Sequence, residues 1–94
     1  MNERKQRIKN TELTIIANQM LREVVWACIH HKTFNSLHEG KAVIEEEFDE
    51  LWAEIKKYPK ESKAKLRKEA IQLGAMAMRF IYDLLADHHE REIN

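Results

Sequence analysis

Only two glycines and one proline interrupt this 94-residue chain, and that scarcity constrains its fold more than any other feature. A chain without breakers or turn formers cannot make the frequent reversals of a β-sandwich, so long helices are the economical arrangement. The length suits one all-α domain spanning residues 1–94 and leaves no room for two. An apolar share of 44% beside a charged share of 34% describes a globular chain and not a disordered one. A domain of this size buries only about 60–65% of its unfolded surface, so pairing with a second copy is an expected way to complete the core.

Helix boundaries follow from local chemistry. Residues 1–10 are polar, with Arg4, Lys5, Arg7 and Lys9 against Glu3 alone, and read as a solvated arm or a frayed first turn. The first strong helix is expected from Thr11, a capping residue, to His31, with a wide apolar stripe through Leu13, Ile16, Met20, Val24 and Ala27. Lys32 to Leu37 reads as a loop. Ser36 followed by Glu39 forms a capping box, which starts a second helix near Leu37. That helix runs to Lys57, because Tyr58 precedes Pro59 and avoids helical geometry. Ser62 then caps a third helix, expected to continue unbroken from Lys63 to about His89. Three such helices with short connections predict a helical bundle completed by homodimerisation.

Steps of 100° per residue place Ile44, Phe48, Leu51 and Ile55 of the second helix within about 40° of one apolar line. Glu47, Glu54 and Glu50 follow along one flank, at about 60°, 80° and 120° from Ile44. Glu46 and Asp49 point away from the apolar line and read as solvent face. Glu47 and Glu50 lie one turn apart beside apolar neighbours, where like charges repel by a few tenths of a kcal/mol unless a hard cation such as Mg²⁺ sits between them. An acid-rich face is also what an ordinary solvated helix presents, and composition does not separate the two. On the third helix the predicted core line is Leu66, Ala70, Leu73, Ala77, Phe80 and Leu84, with Glu69, Gln72, Met76, Asp83 and Asp87 on one flank. Gly74, unfavourable in mid-helix by about 1 kcal/mol relative to alanine, marks a close helix crossing.

The run Glu46-Glu47-Phe48-Asp49-Glu50-Leu51, followed one helix later by Glu69-Ala70-Ile71-Gln72, resembles the MazG-like all-α nucleoside triphosphate pyrophosphohydrolases. Their signature is E-E-x-x-E-L on one helix and E-x-x-D on the next. The similarity extends loosely from Phe34 to Leu84, including His38-Glu39-Gly40-Lys41-Ala42-Val43-Ile44 ahead of the acidic run. The resemblance implies a dimer or a dimer of dimers, with Mg²⁺-dependent cleavage of a nucleoside triphosphate to the monophosphate and pyrophosphate. It implies Glu47 and Glu50 as catalytic and metal-binding residues, with Glu69 and position 72 as the second metal pair. Position 72 departs from the pattern: Gln72 offers an oxygen but no charge, which favours a non-catalytic dimer of the same fold as the alternative function. Glu54, on the Glu47 flank, is one substitute acid, with Asp83 further off along its helix, and Lys68 and Arg79 are candidates, by proximity alone, to help hold phosphate.

Other features carry less. The formal net charge is zero, with 16 basic and 16 acidic residues, which argues against nucleic acid or an anionic membrane as the main partner. No apolar stretch approaches the roughly 20 residues of a membrane span, and the first residues lead into no signal-peptide core, so a cytoplasmic location is expected. Cys28, the lone cysteine, fits a reducing compartment and reads as a small buried hydrophobe. Adjacent histidines on a helix diverge by about 100°. His30-His31 therefore reads as a helix C-terminus interaction and His88-His89 as a solvated tail, rather than as metal chelates. Core or dimer packing is the expected role of Trp26 and Trp52, with nucleobase stacking as the other use, and Met76 and Met78 are assigned to core or interface.

Overall fold

The computed structural model describes residues 2–60 and 62–87. Its elements are α1 (Glu3–His30), α2 (Leu37–Lys57) and α3 (Lys63–Phe80), followed by a π-helical turn at Ile81–Leu85. No strand occurs among the described residues, so the all-α expectation holds. No helix among them is long and apolar enough to cross a membrane.

The capping chemistry sets most boundaries where expected. Ser36 Oγ accepts the Glu39 N–H at 3.1 Å, and Ser62 Oγ accepts the Lys65 N–H at 3.3 Å. The reciprocal half of the capping box differs: the Glu39 carboxylate accepts the backbone N–H of Asn35 at 3.0 Å, one residue earlier than the box prescribes. Tyr58 is extended (φ −66°, ψ 140°), as its position before proline requires.

Two ends differ from expectation. The first helix begins at Glu3, eight residues before Thr11, so residues 3–10 are helical although exposed. No breaker lies in that segment, and Asn2 caps it by accepting the Lys5 N–H at 2.9 Å. Thr11 Oγ1 caps nothing and donates to the Arg7 carbonyl inside the helix. The third helix is not continuous: α-geometry ends at Phe80, and the π-turn closes with the Ala86 N–H on the Ile81 carbonyl at 2.7 Å. Asp83, in that wider turn, is held by contacts to another part of the chain, a tertiary preference that helix propensity does not contain. His88 and His89 lie outside the described residues.

Helix α3 is the spatial middle of the molecule, packing against both α1 and α2, which scarcely touch each other. Two glycines mark these crossings. A Cβ on Gly74 would lie 2.5 Å from Met20 Cε, so α1 rides over α3 there, as expected. A Cβ on Gly40 would lie 2.5 Å from the Phe80 ring, which sets α2 close against the end of α3. The core between them is small: Val24, Ala27, Ala75 and Met76, flanked by Met20, Val43 and Ile44.

The packed face of α2 is not the predicted apolar line. Its buried and half-buried residues are Gly40, Val43, Ile44, Glu47, Leu51 and Glu54, with Ala53 and Glu39 at the margins. That face is centred about 50° from Ile44, toward the acids. Phe48, Trp52 and Ile55 are consequently 55%, 49% and 44% exposed. On α3 the predicted line is likewise displaced, since Ala70 and Ala77 are exposed while Ile71, Ala75, Met76 and Arg79 are buried. Within one chain, part of each predicted apolar line faces outward: Phe48 and Ile55 on α2, Ala70 and Ala77 on α3.

Candidate metal centre

The rotation of α2 carries its inner acids into the helix interface. Glu47 and Glu50 stand one turn apart on α2, and Glu69 approaches from α3. One carboxylate oxygen from each lies within 4.8 Å of the other two. Glu47 and Glu69 are half-buried and Glu50 is exposed, so the cluster is open on one side. Oε2 of Glu47 and Oε2 of Glu69 are fully covered and have no hydrogen-bond partner. Glu54 Oε2, outside the cluster, is covered and unpartnered in the same way. Covered acceptors without donors are costly unless a proton, a donor or a cation meets them. The Glu47 carboxyl is pushed up to about 7, first by loss of solvation, then by the charge of Glu50, a hydrogen bond with Glu50, and the charges of Glu69 and Glu46. Three carboxylates offering only oxygen suit a hard divalent cation such as Mg²⁺, which would remove their mutual repulsion.

Glu54 does not join this group. It is buried, and its carboxylate lies 3.5 Å from Lys57 Nζ and 3.7 Å from Lys65 Nζ, so its charge is met by lysines. Glu46 and Asp49 are exposed, as the wheel requires. Gln72, half-buried one turn beyond Glu69, lines the space next to the cluster.

That space is a cleft of about 470 Å³, lined by residues of α1, α2 and α3. Glu47 and Gln72 line it together with Trp26, His31, Phe34, Glu39 and Arg79. Trp26 is 53% exposed, and its ring stacks on His30 at 4.2 Å. His30 Nδ1 meets the Trp26 carbonyl at 2.8 Å and the His31 N–H caps α1, which agrees with a helix C-terminus role for this pair. Trp52 packs in no core; Lys56 lies over its ring at 5.7 Å. Cys28, read as buried, is exposed. Its thiol is pushed up by partial burial and by Asp83, with Arg79 opposing. Met76 is in the core and the cleft, while Met78 is exposed.

The acidic pattern did not reveal how the cleft wall is fastened. Arg79 Nε donates to Asp83 Oδ2 at 3.2 Å, and its Nη2 donates to the Lys32 carbonyl. The same Asp83 oxygen accepts the Phe34 N–H at 3.1 Å, and the guanidinium lies 4.0 Å over the Phe34 ring. Both charged side chains are nearly fully buried. Arg79 is thus committed to the 32–34 loop, and Asp83 is a structural anchor rather than a replacement ligand. The opposite charges at i, i+4 on an otherwise apolar helix end were the available signal. No protein-family model, curated protein or solved structure matches this chain.

Proposed function

We propose that this protein is a divalent-cation-dependent nucleoside triphosphate pyrophosphohydrolase that works as a homodimer. The observation that carries the reading is the convergence of Glu47, Glu50 and Glu69 from two helices, with covered oxygens lacking donors. The motif resemblance and the adjoining cleft, large enough for part of a nucleotide, support it. Mg²⁺ held by Glu47, Glu50 and Glu69, with the neutral oxygen of Gln72 beside them, would screen the phosphate charge. Glu47 and Glu50 hold and orient the attacking water, and one of them accepts its proton. The water oxygen bonds to phosphorus at the α–β bridge, the bridging P–O bond breaks, and the products are the monophosphate and pyrophosphate.

Gln72 favours a second reading, a non-catalytic dimer of the same fold that serves as a binding or regulatory module. The two separate in one experiment: incubation of the purified protein with each common NTP and dNTP, with and without Mg²⁺, following pyrophosphate. Metal-dependent release that Glu47→Gln abolishes and Glu46→Gln leaves intact is the expected result. Absence of release across the panel at high protein concentration removes the enzymatic reading.

A further inference from the structure

Beside the cleft, sharing Glu23 and Gln72 with its lining, lies a second groove of about 290 Å³ between α1 and the first half of α3. Its charged lining is opposite in sign to the carboxylate cluster. Arg22 comes from α1 and Arg67 and Lys68 from α3, against the single acid Glu23. Arg67 Nη2 donates to Gln19 Oε1 at 2.8 Å, which pins one guanidinium across the two helices. Gln72 and Glu23 line both spaces, so they form the boundary between them. Lys68 and Gln72 share one face of α3 at i, i+4, and Lys68 directly precedes Glu69.

We infer that this groove is the seat of a polyphosphate anion, with Arg22, Arg67 and Lys68 as its binding cations. Identifying that anion with the phosphate tail of a nucleotide rests on the function proposed above. Arginine presents a planar fork of donors suited to phosphate oxygens, and lysine adds a compact charge. The placement also gives Gln72 a role. Glu23 already sets one negative charge at the junction, and an amide at position 72 donates and accepts there without adding a second that would repel phosphates.

The test is calorimetric titration of inorganic triphosphate into the full chain at low ionic strength, in EDTA and again with Mg²⁺. In EDTA, Arg22→Ala, Arg67→Ala and Lys68→Ala should each weaken binding several-fold, and the triple variant should lose it, with unchanged helical circular dichroism. Arg4→Ala, about 27 Å away along α1, should bind as wild type does. Triphosphate binding that survives the triple change, or that Arg4→Ala weakens equally, overturns the inference. A wild type that releases no pyrophosphate from any NTP, yet binds triphosphate through these three cations, keeps the groove and removes the hydrolase reading. Hydrolysis with KM unchanged in the triple variant does the reverse.

Discussion

Glu47 lines the cleft with a carboxyl held well above the usual range, and its environment makes a measurable prediction. In the folded protein its carboxyl holds a proton up to about pH 7, against a usual value of 4.5. The folded chain therefore binds more protons than the unfolded chain between those values, so stability falls as pH rises through that window. The contribution is complete below pH 4.5 and gone above about 7. Thermal melts in EDTA from pH 4.5 to 8 should show a decline in midpoint that is shallower in Glu47→Gln. Added Mg²⁺ should raise the midpoint most at the alkaline end, where the cluster carries its full charge. Equal pH slopes for the two proteins would show that Glu47 is not the group responsible.

At the scale of elements, the crossings and the loop anchor carry separate predictions. Replacing Gly40 by alanine drives a methyl group into the Phe80 ring and against Leu84, 3.1 Å away. Overpacking of this kind costs about 1–3 kcal/mol, more than the ~1 kcal/mol that helix propensity returns. Gly74→Ala meets only the flexible Met20 side chain, so propensity offsets the displacement and urea denaturation should find it near neutral. Asp83→Ala removes the carboxylate that holds both Arg79 and the Phe34 N–H. An unpaired buried guanidinium should destabilise the fold by about 3 kcal/mol in the same titration. Hydrogen exchange at Phe34 should rise with it, since that amide loses its acceptor. A wild-type exchange rate there would count against the anchoring role.

The whole molecule is open for its length. Its Cα radius of gyration is 16.0 Å, whereas a compact domain of this size has about 12 Å. Among the described residues no large side chain is fully buried, while Leu21, Val25, Ile29, Phe48, Trp52, Ile55 and Tyr82 are exposed. Apolar surface on this scale is a feature of association interfaces. Sedimentation should therefore give a mass of at least twice the 11.2 kDa chain. Phe48→Asp, on the outer side of α2, should shift the protein toward monomer and lower its melting temperature. A wild type that sediments as a monomer at micromolar concentration would remove the proposed dimer.

The all-helical class, the bounds of α2 and the two serine caps were legible because each depends on neighbours within a few residues. Glu47, Glu50 and Glu69 were legible as candidates for a related reason: their spacing is a property of the helix, and position 69 follows from the motif. Tertiary packing decided the rest. The sequence places Phe48 and Ile55 on the strongest apolar line of α2, but periodicity does not say which apolar surface a helix gives to its own chain. Here α3 takes the side about 50° round, and Glu47 and Glu54 are covered instead. The pairing of Arg79 with Asp83 was legible as opposite charges at i, i+4, but their hold on the 32–34 loop was out of reach. That hold joins residues 47 and 49 positions apart, and only the folded chain brings the Lys32 carbonyl and the Phe34 N–H to the buried pair.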